Sequence, residues 1–132
     1  MSSFVDTSGL YAVVDGDDAC HRKAAAAWRD MLERDESLVT TNYVLLETTA
    51  LVQHRLGLEA VRVFVQEIVP VLTVVWVGEE EHGAAMGAVL SARARDLSLV
   101  DCTSFFVMRR IHISRCFAFD AHFRAQGFDV VP

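Results

Sequence analysis

Short apolar runs alternate with amphipathic segments along the whole chain. Runs with the length and the residue types of strands lie near residues 4–5, 38–40, 72–77, 116–119 and 128–131. Segments with helical periodicity lie between them, over residues 8–14, 17–33, 43–54, 58–69, 79–92 and 98–110, and in a short stretch that ends at Gly127. Strands separated in this way pair in parallel through right-handed crossovers. We therefore predict an α/β fold, a three-layer α/β/α sandwich whose parallel sheet has about five strands.

The ends of these segments and the largest apolar residues complete the predicted organisation. Asp17 or Asp18 is a suitable N-cap for the second helix. Trp28 lies in a helical pattern and Trp76 in a strand pattern, so we assign both side chains to the core. No linker, repeat or low-complexity segment divides the chain, which predicts a single domain over residues 1–132.

Composition restricts the class of protein further. The hydrophobic fraction of the 132 residues is 52%, with only two prolines and seven glycines, so the chain is neither disordered nor fibrous. Aspartate and glutamate outnumber lysine and arginine by 18 to 12. The resulting net charge of −6 argues against a protein that binds nucleic acid through a general basic field.

The sequence does not indicate export or membrane insertion. The longest apolar stretch, residues 68–77, is interrupted and is too short to cross a bilayer. The first residues lack the basic and apolar regions of a signal peptide. Cys20, Cys102 and Cys116 are odd in number and widely spaced, which fits neither a disulfide framework nor a zinc site. We expect a cytoplasmic protein with free thiols and no membrane association.

Four acidic residues lie in apolar surroundings, whereas the others fit solvated turns and helix ends. Asp6 follows the first strand and Asp120 the fourth, and ligands of such folds bind at the carboxyl ends of the strands. Glu47 shares a helix face with apolar residues, where a charge needs a cation or a strong donor. Asp101 belongs to a capping box that begins at Ser98. Each has a structural alternative, which is N-capping for the aspartates and pairing with an arginine for Glu47.

The four carboxylates together indicate a metal site. Grouped at one edge of a sheet, they would repel one another unless cations neutralised them. Hard oxygen ligands without histidine or cysteine select Mg²⁺ or Mn²⁺. Two such ions, held by carboxylates, can activate a water and stabilise the leaving oxygen in phosphodiester cleavage. The sequence therefore favours a carboxylate cluster with this chemistry.

Each of the four acids lies in a short segment with a distinct pattern. The segments are Phe4-Val5-Asp6-Thr7-Ser8, Thr41-Asn42-Tyr43-Val44-Leu45-Leu46-Glu47, Leu97-Ser98-Leu99-Val100-Asp101-Cys102-Thr103-Ser104-Phe105 and Phe119-Asp120-Ala121-His122-Phe123. In their order, their spacing and the total length, these segments resemble the PIN-domain nucleases, in particular the VapC-type toxins of bacterial toxin–antitoxin pairs. The resemblance covers essentially the whole chain.

The resemblance implies an endoribonuclease that depends on one or two Mg²⁺ or Mn²⁺ ions. Asp6 and Asp101 would be the primary metal ligands, and Glu47 would hold the metal or orient the water. Asp120 would complete a second site or a shell of water. Many family members carry a threonine or serine at the position of Ala118, so that hydroxyl is absent here. The resemblance also implies a homodimer and neutralisation by a small antitoxin, which often places an arginine in the acidic site.

Several further residues have both a functional and a structural interpretation. His122 follows Asp120 closely and could contact a phosphate or extend the metal shell, although a structural or exposed role is more common for such a histidine. A group of arginines could contact RNA phosphates, because the guanidinium fork matches phosphate oxygens, or could form a solvated face. These are Arg93, Arg95, Arg109, Arg110, Arg115 and Arg124.

Receiver domains and HAD-type phosphatases have a similar layered fold and also use Mg²⁺ at the carboxyl ends of strands, but each needs residues that this chain lacks. A receiver domain needs a late lysine, whereas the only lysine here is Lys23. A HAD-type phosphatase needs a second aspartate two residues after the first, whereas Asp6 is followed by Ser8 at that spacing. A PIN-like module without catalytic activity is the remaining alternative, and the complete set of four acids argues against it.

Overall fold

The computed structural model describes residues 1–132 and contains one parallel sheet of five strands in the order β3-β2-β1-β4-β5. The order reverses at β1, so right-handed crossovers place the helices before β3 on one face and the later helices on the other. The predicted three-layer α/β/α architecture is confirmed. The strands are β1 Ser2–Val5, β2 Ser37–Thr41, β3 Leu72–Val75, β4 Arg115–Phe117 and β5 Asp129–Val131.

Seven α-helices connect the strands. The fourth continues into a π-helical turn over Phe64–Ile68 and a 3-10 turn over Val69–Val71, where Pro70 ends the segment. None of the helices is both long and apolar enough to span a bilayer. The helices are α1 Thr7–Val14, α2 His21–Glu33, α3 Asn42–Leu56, α4 Leu58–Val63, α5 Glu79–Ala92, α6 Leu99–Arg110 and α7 Ala121–Ala125.

Aromatic side chains fill both interfaces between the sheet and the helices. Trp28 on α2 packs against Phe117 of β4, with ring centroids 5.9 Å apart. Phe105 of α6 meets Phe123 of α7 edge to face, with centroids 5.0 Å apart. Burial of such large rings dominates core energetics. Phe105, Phe117 and Phe123 belong to one buried core cluster, so the first turn of α6 with Asp101 and the start of α7 at Asp120 are held by the same packing.

Three boundary and burial predictions were wrong. The second helix begins at His21, because the Asp18 carboxylate accepts from the backbone N–H of Cys20 at 2.8 Å in the preceding turn and caps no helix. The fourth strand ends at Phe117 and not at Phe119. Trp76 is 74% exposed and not in the core, because β3 is an edge strand that ends at Val75. Trp28, by contrast, is in the core as predicted.

Candidate active site

Asp6 is held where β1 meets α1, between the two layers of helices. Its backbone N–H donates to the carbonyl of Phe117 at 3.1 Å, which extends the pairing of β1 with β4 by one residue. Its carboxylate caps α1, because Oδ2 accepts from the Ser8 N–H at 3.0 Å and from the Ser8 hydroxyl at 2.6 Å. Asp6 is only 3% exposed, and its Oδ1 accepts no hydrogen bond from the protein. The predicted capping role is present, and one carboxylate oxygen remains free for a ligand.

Ser8 also ties this carboxylate to the fourth acidic segment. Its hydroxyl oxygen accepts from the backbone N–H of Phe119 at 2.9 Å while its proton goes to Asp6. The loop that leads from β4 to Asp120 is therefore anchored on the same hydroxyl that orients Asp6. The contact between Ser8 and Phe119 spans 111 residues, so no local sequence pattern indicates it.

Asp101 lies in the first turn of α6, where the predicted capping box is present. The Ser98 hydroxyl accepts from the Asp101 N–H at 3.0 Å, and the Asp101 carboxylate accepts from the Ser98 N–H at 3.3 Å. The residue is 8% exposed. Because capping occupies one face of this short side chain, its position is fixed before any ligand binds.

Glu47 lies on α3 and is half-buried beside a small hydroxyl network. The Thr48 hydroxyl donates to Thr7 at 3.0 Å, and Thr7 contacts the Val44 carbonyl at 3.4 Å. These contacts hold α3 against α1, the helix that Asp6 caps. Glu47 forms no ion pair, so the structural alternative of pairing with an arginine is not supported.

Asp120 caps α7 and meets His122. Its Oδ1 accepts from the His122 N–H at 2.9 Å and lies 2.9 Å from the ring Nδ1 of the same histidine. That Nδ1 is also 3.8 Å from Oδ2 of Asp101, and Nε2 is 3.2 Å from Oδ2 of Asp96. The structure therefore brings His122 to the carboxylates, and it adds Asp96, which the sequence did not single out.

The carboxylates interact through their charges. Burial is the main cause that raises the pKa of Asp6 from 3.8 to about 6; the hydrogen bonds from Ser8 oppose this rise, and the charges of Asp101 and Glu47 add to it. Burial, followed by the charge of Asp120, raises the pKa of Asp101 above its usual range. Burial also raises the pKa of Glu47, with added repulsion from Asp101 and Asp120. All four acids therefore contribute to one electrostatic site.

The donor set fits a divalent cation. No lysine or arginine pairs with any of the four acids, and the ion pairs of Asp101 and Asp120 are with His122. Ligand atoms of Asp101, Asp120 and His122 lie within 4.8 Å of one another. Carboxylate oxygens are the ligands that Mg²⁺ and Mn²⁺ prefer, and a bound cation would relieve the repulsion that burial amplifies.

The candidate arginines divide into two groups. Arg109 lies over the Phe128 ring and donates to Gln126, and Arg110 pairs with Glu81 at 2.6 Å. Arg115 lies 3.5 Å from Glu36 at the opposite end of the sheet. Each of these three arginines therefore has a structural contact that accounts for its presence. Arg93, Arg95 and Arg124 are exposed and form no ion pair, and they flank Asp96 and His122 in the chain.

Comparison with known proteins agrees with this geometry. The sequence profile described as PIN domain matches residues 3–129. The chain belongs to the PIN-domain family. This membership confirms the resemblance of the four segments and is inconsistent with a receiver domain or a phosphatase.

Relatives of this PIN-domain chain include proteins with an assigned activity. The 23S rRNA-specific endonuclease VapC20 of Mycobacterium tuberculosis, in strains CDC 1551 / Oshkosh and ATCC 25618 / H37Rv, is 35% identical over 126 residues. The alignment covers 95% of this chain and 94% of the relative. The crystal structure of Mycobacterium tuberculosis VapC20, a sarcin–ricin loop cleaving toxin, matches with a TM-score of 0.86 and 33% identity over 100% of both chains.

Proposed function

We propose that this PIN domain, acting as a single unit over residues 1–132, is a metal-dependent endoribonuclease and the toxin of a toxin–antitoxin pair. The observation that supports the proposal is the electrostatic coupling of four carboxylates from separate segments, none of which pairs with a lysine or an arginine. The similarity to VapC20 supports RNA as the substrate and ribosomal RNA as its class.

In the proposed site, Asp6 and Asp101 hold the metal directly, with Mg²⁺ or Mn²⁺ as one or two ions. A bound divalent ion supplies the positive charge that eases deprotonation of a water and stabilises the leaving oxygen. Ser8 fixes one oxygen of Asp6, which leaves the other for the ion. The Ser98 capping box does the same for Asp101. Asp120 completes the shell from the fourth segment.

We propose that Glu47 orients the attacking water and takes its proton. Burial raises the pKa of its carboxyl, which makes the carboxylate a stronger base than an exposed glutamate. The water oxygen then forms a bond to phosphorus, the bond from phosphorus to the bridging ester oxygen breaks, and the leaving oxygen takes up a proton. The chain itself supplies positioning and proton transfer in this scheme.

The acidic net charge is compatible with an anionic substrate. Two divalent ions would add four positive charges and bring the formal charge from −6 to −2. RNA would then be attracted by the ions and by Arg93, Arg95 and Arg124, and not by a general basic field. A ribosomal substrate also places the proposed activity in the cytoplasm.

The proposed partners are a second copy of the chain and a small antitoxin. Leu46 on α3 and Leu90 on α5 are 71% and 73% exposed, which supplies apolar surface that a homodimer would bury. The uncompensated carboxylates make the site attractive to a basic peptide, so we propose that an antitoxin inhibits by inserting an arginine there. Sedimentation should give a dimer, and a co-expressed antitoxin should suppress RNA cleavage.

The test of the proposed function is mapping of RNA 5′ ends after induced expression of the chain. We expect new ends at discrete positions in ribosomal RNA, and we expect Asp101→Asn to abolish them. Asp129→Asn is the matched control, because it removes an exposed carboxylate outside the site and should cut like the wild type. Equal cleavage by Asp101→Asn, or no new RNA ends with the folded wild type, would contradict the proposal.

A further inference from the structure

The imidazole of His122 is held between three carboxylates, two of which belong to the proposed metal site. Its Nδ1 lies 2.9 Å from Oδ1 of Asp120 and 3.8 Å from Oδ2 of Asp101. Its Nε2 lies 3.2 Å from Oδ2 of Asp96 on the other side of the ring. Nδ1 therefore faces two acids of the proposed metal site, whereas Nε2 faces an acid outside it.

The two nitrogens also differ in how well they are satisfied. Nε2 is within hydrogen-bond distance of Asp96, and a carboxylate can only accept, so a proton on Nε2 is donated to Asp96. Nδ1 is shielded from solvent and makes no hydrogen bond, although Asp120 is close, because the two groups are not aligned for one. Nδ1 therefore lies against carboxylate oxygens in a position where a proton or a metal ion has to separate them, and a metal ion bound at Nδ1 would take the place of that proton.

A metal ion bound at Nδ1 of His122 would give this nitrogen a partner and would neutralise the nearby carboxylates. Histidines that bind metals nearly always donate the other ring N–H to a carboxylate or carbonyl, which fixes the tautomer and the ring orientation. Asp96 occupies that place relative to His122. The donor atoms of Asp101, Asp120 and His122 lie within 4.8 Å of one another, so one ion can reach all three.

We propose that His122 is a nitrogen ligand of the nuclease metal, bound through Nδ1 beside Asp101 and Asp120, and that Asp96 is a positioning residue that orients it. The proposal rests on the proposed function, since it assigns a ligand to that site. An imidazole in an oxygen-rich shell shifts the preference of the site from Mg²⁺ toward Mn²⁺, which accepts nitrogen more readily. The site should therefore bind Mn²⁺ more tightly, relative to Mg²⁺, than a site built from carboxylates alone.

The alternative is that His122 only pairs with Asp120 at the start of α7. That contact would leave Nδ1 out of the coordination shell and would not alter the choice of metal. Pulsed electron paramagnetic resonance separates the two cases on the wild-type chain, because a ligated imidazole gives a ¹⁴N hyperfine coupling to bound Mn²⁺. This measurement does not depend on catalysis or on any variant.

The experiment combines that spectrum with Mn²⁺ and Mg²⁺ titrations of the purified full chain. We expect the ¹⁴N coupling in the wild type and its loss in His122→Asn, with the Mn²⁺ dissociation constant raised about 10- to 100-fold and that of Mg²⁺ changed less. Asp96→Asn should weaken Mn²⁺ binding in the same direction and retain the coupling. His54→Asn, which alters an exposed histidine at the end of α3, should match the wild type in every measurement.

The outcomes distinguish failure of this inference from failure of the proposed function. Mn²⁺ that binds without ¹⁴N coupling, in a chain that still cleaves RNA, would overturn the role of His122 alone. A coupling that persists in His122→Asn would do the same. A folded wild-type chain that binds neither ion would overturn the metal-dependent nuclease together with its histidine ligand.

Discussion

Removal of the Asp6 charge should stabilise the metal-free protein while it disables the site. In Asp6→Asn the amide oxygen can still accept from the N–H and hydroxyl of Ser8, and asparagine is as good an N-cap as aspartate. The substitution therefore keeps the cap of α1 and removes only a buried negative charge. Asp6→Ala is the control that loses the cap as well.

The size of the effect follows from the pKa of this carboxyl. Burial, against the hydrogen bonds from Ser8, raises it from 3.8 to about 6. At about 1.4 kcal/mol per pK unit, ionised Asp6 lowers the free energy of unfolding by about 3 kcal/mol at pH 7. The folded state holds the proton more tightly, so this contribution is absent below about pH 4, grows as the pH rises toward 6, and is complete above that.

Urea denaturation in EDTA, repeated from pH 4 to pH 8, measures this contribution. We expect Asp6→Asn to be more stable than the wild type by about 3 kcal/mol at pH 7, and the difference to fall to less than about 1 kcal/mol near pH 4. Added Mn²⁺ should stabilise the wild type and have less effect on the variant, since only the wild type keeps the ligand charge. A variant that is less stable than the wild type at pH 7 in EDTA, or a difference that does not depend on pH, would refute this reasoning.

Further predictions concern packing and catalysis. Trp28→Ala should lower the free energy of unfolding by about 3–5 kcal/mol, whereas Trp76→Ala should change it by less than about 1 kcal/mol, as measured by urea denaturation. Gly9→Ala should destabilise by about 1–3 kcal/mol in spite of better helix propensity, because the new Cβ would lie 2.7 Å from Phe117 Cδ2; an unchanged urea midpoint would argue against this contact. Glu47→Gln should reduce the cleavage rate about 100-fold or more with the chain still folded, and a rate near that of the wild type would exclude Glu47 as the base.

The architecture could be predicted because the local pattern and the topology rules agree. Apolar strands separated by helices admit few arrangements other than a parallel sheet with helices on both faces. The edges of that sheet were harder to predict. Trp76 continues a β-branched run, and only the strand order shows that β3 has one open side and that the chain leaves the sheet before this residue.

The parts of the site that could not be predicted from the sequence depend on contacts between residues far apart in the chain. The four acids were identifiable from their apolar neighbours and strand ends, although their catalytic roles stay a prediction. The position of His122 depends on Asp96, which lies 26 residues earlier in an exposed loop. Glu36 was assigned to solvent, but its side chain is only 2% exposed because Ser3 donates to it at 2.9 Å and Arg115 lies beside it. The local pattern of apolar and polar residues does not indicate partners that lie so far away in the sequence.

The proposed nuclease depends on a divalent ion bound by the carboxylate cluster. The most direct test is cleavage of isolated ribosomal RNA by the purified chain, first in EDTA and then with Mn²⁺ or Mg²⁺ restored, beside Asp6→Asn and Asp101→Asn. We expect no cleavage in EDTA, recovery on addition of either ion with the larger rate in Mn²⁺, and no recovery in the two variants. Cleavage that persists in EDTA, or that survives both substitutions, would contradict this expectation.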